Sequence, residues 1–220
     1  MKLKKILSWL DRTLEVKAFD DVSNNGLQIA RQGEDIQCVA FAVDASVRAI
    51  QGAAKAGAQL LVVHHGISWG GGIKRIVDSE YAVISEAIKH NLALYAAHLP
   101  LDANRRVGNN WELARHLKLK RLKKAFSYHG NVIGLIGYNA EGKKVGVCSG
   151  GAGEFAVEAK ALGCDLYITG EASWGEEIAA ENVGIEMVRA GHYETETFGV
   201  KALSGLMGEK LRLKTRFIGR

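Results

Sequence analysis

Proline occurs once in this 220-residue chain, at Pro100, and no run of eighteen apolar residues occurs anywhere. The second absence excludes an apolar membrane-spanning helix as a sequence reading. The first, set beside 26 glycines, points to many short turns and not to an extended proline-rich linker. The segment Met1-Lys2-Leu3-Lys4-Lys5-Ile6-Leu7 turns amphipathic at once and has no apolar core of an export signal, so a cytoplasmic location without a membrane partner is expected. Cysteine is also scarce. Cys38, Cys148 and Cys164 have no C-x-x-C or other paired spacing, which predicts buried free thiols in a reducing cytoplasm, with a ligand role as the alternative. There is no G-x-S-x-G elbow, no Lys-Ser/Thr of a phosphate-binding loop and no dinucleotide fingerprint. Charge of either sign is not extreme, with 29 Lys and Arg against 24 Asp and Glu. Basic residues gather at 118–124 and 210–216. They read first as a solvated face or a strand edge kept soluble by lysine, with attraction for nucleic acid as the alternative.

Apolar residues make up 47% of the chain, enough for a substantial core. Leu3, Ile6, Leu7, Leu10 and Leu14 form a helical stripe over residues 2–16. Buried strands are expected at 38–44, 59–65 and 92–98, alternating with helices at 46–56, 79–90 and 109–118. The segments 131–138 and 144–149 read as a hairpin. A helix at about 154–162, a strand at 165–169, a helix at 174–182, a strand at 185–190 and a helix at about 194–211 follow, with a short run at 213–218 closing the chain. Strand–helix alternation predicts an α/β fold with mostly parallel strands and crossover helices, whose chemistry collects at the carboxyl ends of the strands.

The two halves are alike. Ala54-Lys55-Ala56-Gly57 matches Ala159-Lys160-Ala161-Leu162-Gly163, and setting Gly57 on Gly163 puts His64-His65 opposite Gly170-Glu171. Ser68-Trp69-Gly70 then matches Ser173-Trp174-Gly175 one gap later, and the next strands end in His98-x-x-x-Asp102 and His192-x-x-x-Glu196. Two related α/β lobes are expected, 1–125 and 126–220, facing each other across a cleft.

His64, His65, Asp102, His192 and Glu196 all leave strand ends. Neighbouring histidines on a strand point to opposite faces, but at a turning terminus both can tilt to one site, and Gly66 permits the turn. His192 and Glu196, four apart, share a helix face. Imidazole with carboxylate suits zinc, manganese, iron or nickel. Five ligands exceed the three or so of one catalytic zinc, whereas two ions roughly 3.5–4 Å apart would use them all, with Glu196 as the bridge. An open position would hold a water whose pKa falls to about 7. His98 reads as a proton shuttle, a group orienting Asp102 or a sixth ligand; Glu171 and Asp44 read as supporting acids or turn caps. His90, His116 and His129 read as structural. Ser149-Gly150-Gly151-Ala152-Gly153 reads as a tight turn, with a phosphate cradle as the alternative.

Six ordered motifs carry a family resemblance: Asn24-Asn25-Gly26-Leu27-Gln28, Val63-His64-His65-Gly66, Ala97-His98-x-x-Leu101-Asp102, Ser149-Gly150-Gly151-Ala152-Gly153, Ile168-Thr169-Gly170-Glu171 and Ala190-Gly191-His192-Tyr193-x-x-Glu196. Together they resemble the Nif-three-like dinuclear metal proteins, also called GTP cyclohydrolase type 2 homologues, over nearly the whole chain. The resemblance implies two lobes with two divalent ions per chain in the cleft between them, and a ring-shaped homohexamer. It also implies that one ion takes His65 and Asp102 and the other His64 and His192, with Glu196 shared. The chain departs from the family at Trp174, where many members have histidine, at Leu99-Pro100, where many have Thr-Asn, and in lacking a long central insertion. The function expected is a cyclohydrolase-like hydrolase of a nucleotide or related small molecule, with a metal-bound hydroxide as nucleophile. The alternatives are a non-catalytic metal-handling or interaction protein, and a nucleic-acid-associated hexameric ring.

Overall fold

The apolar run Cys38–Val43 is buried along its whole length, which requires cover on both faces of a sheet. The structure, a computed structural model, describes residues 1–220. It is mixed α/β, with ten strands in two five-stranded sheets and eight α-helices. The chain divides into two compact units, one made of Met1–Leu101 with Val200–Arg220, the other of Asp102–Gly199.

The first unit holds β1 (Gly26–Ile29), β2 (Cys38–Asp44), β3 (Leu60–His65), β4 (Ala93–Ala96) and β10 (Lys214–Phe217), in sheet order β1-β4-β3-β2-β10. β2, β3, β4 and β10 run parallel, and β1 lies antiparallel on β4. The crossovers are α2 (Val47–Lys55) and α3 (Asp78–Lys89). The Ser46 hydroxyl accepts the Ala49 N–H and starts α2. α1 (Leu3–Leu14) buries Leu3, Ile6, Leu10 and Leu14 of the stripe read from the sequence, with Leu7 half-buried at its side. Ala40, Ala42, Ile50, Ala53, Leu61, Val63, Ala87 and Leu94 belong to the core that β2, β3 and β4 share with the crossover helices.

The second unit holds β5 (Lys120–Tyr128), β6 (Asn131–Tyr138), β7 (Lys144–Gly151), β8 (Leu166–Glu171) and β9 (Glu186–Arg189), in that sheet order. β5, β6 and β7 are antiparallel; β7, β8 and β9 are parallel. α5 (Asn109–His116), α6 (Ala156–Ala161) and α7 (Trp174–Val183) complete it. Ser173 and Glu176 form a reciprocal capping box at the start of α7. The division's boundaries fall inside α4 (Leu99–Ala103) and α8 (His192–Leu211).

Each unit therefore contains the same order, β-α-β-α-β with parallel strands: β2-α2-β3-α3-β4 in one and β7-α6-β8-α7-β9 in the other. Gly57 and Gly163 both end the first crossover helix with positive φ, 73° and 77°. The bounds of the units differ from a break at 125/126. β5 hydrogen-bonds along β6 and so goes with the second sheet, while β10 returns to pair with β2.

Candidate metal-binding groups

β2 and β3 pair with Asp44 beside His65, so the register alone sets carboxylate next to imidazole. His65 Nδ1 lies 2.9 Å from Asp44 Oδ1. His64, one residue earlier, is fully buried, with Nδ1 3.0 Å from the Ala97 carbonyl oxygen. His98, just past β4, has Nδ1 2.9 Å from Asp21 Oδ1. An oxygen acceptor at Nδ1 holds the N–H there and leaves the Nε2 lone pair as the ligand atom. The three rings gather, with centroids 4.6 Å apart for His64 and His65, 5.1 Å for His64 and His98, and 5.8 Å for His65 and His98. One ligand atom from each lies within 4.8 Å of the others.

The turn after these histidines is tied down by the segment at 21–28. Gln28 Oε1 accepts the N–H groups of Ile67 and Ser68. Gly66 is needed for space, because a Cβ there would stand 2.2 Å from Gln28 Oε1 and 2.6 Å from Ala96 Cβ. Its φ is not positive, so close approach and not left-handed backbone is the reason for glycine. Asp21 accepts from Ser23, Asn25, His98 and the Leu99 N–H. Burial pushes its pKa up, but the His98 hydrogen bond and charge, with Asn25 and Ser23, outweigh that and hold it at about 2.

In the second unit, His192 opens α8 with Nδ1 2.9 Å from Glu171 Oε1 and Nε2 3.0 Å from Glu196 Oε1. The Glu196 hydrogen bond is the largest cause that raises the His192 pKa to about 9, against the opposing effect of burial; Glu171 adds to the rise. The two carboxylates thus favour the protonated form of the His192 ring. Asp102 Oδ1 accepts from Asn109 Nδ2 at 2.8 Å and from the Ser149 hydroxyl at 3.2 Å. Asn109 and Ser149 thus orient the Asp102 carboxylate.

The glycine-rich stretch begins as strand and not as the tight turn expected. Ser149, Gly150 and Gly151 continue β7. The Ser149 N–H donates to Asn110 Oδ1 and the Gly150 N–H to Thr195 Oγ1, so neither is offered to an anion. Gly150, at φ 72°, leaves room for a carboxylate: a Cβ there would lie 2.4 Å from Glu196 Oε1. At Gly170 a Cβ would lie 2.8 Å from the His192 backbone, which lets the start of α8 close on β8.

The histidines expected to be structural lie apart from this group. His90 bonds Glu86, His116 stacks near Phe198 and His129 packs on Tyr128. The three cysteines are buried and free. Burial pushes all three thiols up in pKa, as expected for inert side chains.

The profile of the family described as Duf34/NIF3 (NGG1p interacting factor 3) matches residues 1–143 and 120–219. The chain belongs to the DUF34/NIF3 family. It is 39% identical to a protein of Pyrococcus horikoshii named GTP cyclohydrolase 1 type 2 homolog, over 99% of this chain and 98% of that one. Among solved structures, a protein titled ybgI, of unknown function, superposes with a TM-score of 0.92 at 27% identity, covering 100% of this chain and 98% of the other. Reduced HcgD from Methanocaldococcus jannaschii gives 0.86 at 25% identity, covering 99% and 97%.

For this member of the family, spacing identified the histidines and carboxylates but missed Asp21, Asn109 and the work of Gln28. Asn25 and Gln28 lay within a motif that the family resemblance picked out, without a role. Asp21 had no signal at all, since its partner His98 is 77 residues away.

Proposed function

We propose that this chain binds two divalent ions through His64, His65, Asp102, His192 and Glu196 and works as a metal-dependent hydrolase of a nucleotide or related small molecule. The observation that carries the metal reading is the dressing of the imidazoles. His64, His65 and His98 each present Nδ1 to an oxygen acceptor, which holds the proton there and makes Nε2 the nitrogen able to bind a metal. Neutral imidazole with carboxylate is a donor set for zinc, iron, manganese or nickel. When bound, such ions polarise a substrate oxygen and make a water acidic near neutral pH.

The chain's own groups supply the rest. Asp44 and Asp21 fix the ring planes of His65 and His98. Asn109 and Ser149 fix the Asp102 carboxylate. Glu171, which stands against His192 Nδ1 and is exposed, can receive a proton from that ring and pass it to solvent. His98, its ring held at Nδ1 by Asp21, is a second candidate proton carrier. The relatives' name, GTP cyclohydrolase 1 type 2 homolog, makes a nucleotide ring the first substrate class to try.

The test is removal of metal by chelation, reloading with Mn, Fe, Ni or Zn, and assay of ring opening on GTP, other nucleotides and cyclic amides. Metal-dependent turnover that disappears in His65→Ala supports the proposal. Two exchangeable ions per chain with no turnover on any of these substrates refutes the hydrolase half and leaves a metal-handling protein. Elemental analysis without bound metal after saturation refutes both.

A further inference from the structure

Trp69 lies beside the histidine group and belongs to none of the roles above. Its indole and the His98 ring stand nearly perpendicular with centroids 5.1 Å apart, and it is tilted against His65 at 6.1 Å, yet the residue remains 37% exposed. An indole half open to water next to three gathered imidazoles is an unusual use of a large apolar ring.

The loop that carries it is held from several directions. Gln28 Oε1 takes the Ile67 and Ser68 N–H groups, at 2.7 and 3.2 Å. The Asn24 N–H donates to the Ser68 carbonyl and Asn24 Nδ2 to the Ser68 hydroxyl, at 3.0 and 2.8 Å. The Gly70 N–H donates to the Val22 carbonyl at 2.6 Å, and Ser23 pairs with Trp69 as an isolated bridge. The indole N–H is itself satisfied, donating to the Gly66 carbonyl at 3.0 Å. Trp69 therefore has no hydrogen bond to offer a ligand through its N–H. What it offers is a flat π face, fixed before the ligand arrives, which lowers the ordering cost of binding.

From this we infer that Trp69 is the stacking platform for a flat conjugated heterocycle in the ligand and sets the specificity of the site. The inference rests on the reading of the imidazoles as a ligand-binding centre. Recognition by stacking selects flatness and conjugation and tolerates different ring substituents, since every such ring has a π face. Trp69 does not touch the reacting atoms in this account. It positions the ring that is to be attacked.

The experiment is calorimetric titration of the full chain with guanosine, adenosine and ribose 5-phosphate, metal-free and after loading with Mn, for wild type, Trp69→Leu and Trp69→Phe. Leucine keeps apolar packing against His98 without a π face, and phenylalanine restores one. The nucleosides are expected to bind wild type and to weaken about 5- to 150-fold in Trp69→Leu, the range for loss of one stacked base, with most of the affinity regained in Trp69→Phe. Ribose 5-phosphate binding and the number of Mn ions bound should be the same in all three proteins. Nucleoside addition should also quench tryptophan emission in wild type and leave that of Trp69→Phe unchanged. A single-stranded oligonucleotide that shows the same dependence on Trp69 supports the platform and assigns the ring to a strand. Nucleoside affinities equal in all three proteins overturn the inference, as does a wild type that binds neither nucleoside. Loss of Mn binding in Trp69→Leu overturns it too, by making the indole a prop for the imidazoles. If turnover is absent while nucleoside binding keeps its dependence on Trp69, the hydrolase reading fails and the platform stands.

Discussion

Gly150→Ala places a methyl group 2.4 Å from Glu196 Oε1, at a backbone φ of 72°. Two costs arise, and a second glycine separates them. Gly142, in the turn between β6 and β7, has φ 80° with nothing within 4 Å of an added Cβ. Gly142→Ala therefore meets the left-handed backbone penalty alone, about 1–2 kcal/mol. Gly150→Ala meets the same penalty and also overpacks a buried carboxylate, for about 1–3 kcal/mol more. Glu196 is 3% exposed and bonded to His192, so it has little room to retreat. Urea unfolding of the metal-free variants measures both costs from the shift in midpoint at constant slope. Gly150→Ala should be the less stable by about 1–3 kcal/mol, and its metal stoichiometry should fall while that of Gly142→Ala stays at the wild-type value. Equal destabilisation with full metal binding in both would show that Glu196 moves aside freely and is not held as a ligand.

Three further outcomes follow from the same geometry. Asp44→Asn removes the carboxylate at His65 Nδ1 and should weaken metal binding by roughly 10- to 100-fold, measured by competition with a chromogenic chelator, with little change in melting temperature because Asp44 is half exposed. Asp21, with a side chain 2% exposed, has its pKa lowered from 3.8 to about 2. A depressed carboxylate stabilises the fold above its unfolded pKa, so about 2 kcal/mol should be present above pH 4 and lost as pH falls from about 4 towards 2. Asp21→Asn should flatten that acid limb of the stability curve in denaturant titrations. His192, raised to about 9, should release a proton when metal binds at pH 7. Calorimetry in buffers of different ionisation enthalpy reads that proton directly, and Glu171→Gln, which removes one of the two acids that raise the His192 pKa, should reduce it.

The elements that place the histidines were legible because their signals are local. Leu60-Leu61-Val62-Val63 is a buried strand by composition, and His64-His65 stands at its end whatever surrounds it. α2 and α7 announce themselves through Ser46 and Ser173. β1 was missed: it has four residues and half-buried positions without alternation. β5 was hidden by its Lys and Arg residues and by the bulge between Lys120 and Lys123, which breaks the period of two. What supports the candidate ligands was illegible for another reason. Asp21 and His98, or Ser149 and Asp102, become neighbours only through strand order and register, which no spacing along the chain encodes. Gly150 was visible as glycine, but its purpose depends on a glutamate 46 positions later.

The pairing of β10 with β2 joins Lys214–Phe217 to Cys38–Phe41. During synthesis the ribosome delivers Asp102–Gly199 complete while the sheet that bears His64 and His65 still lacks its last strand. The earlier-made strands of that sheet thus wait for a later one, and the Cys38–Phe41 edge stays open for pairing until Lys214–Phe217 has been made. Ribosome-stalled chains cut off before residue 214 should protect the Asp102–Gly199 unit from protease first.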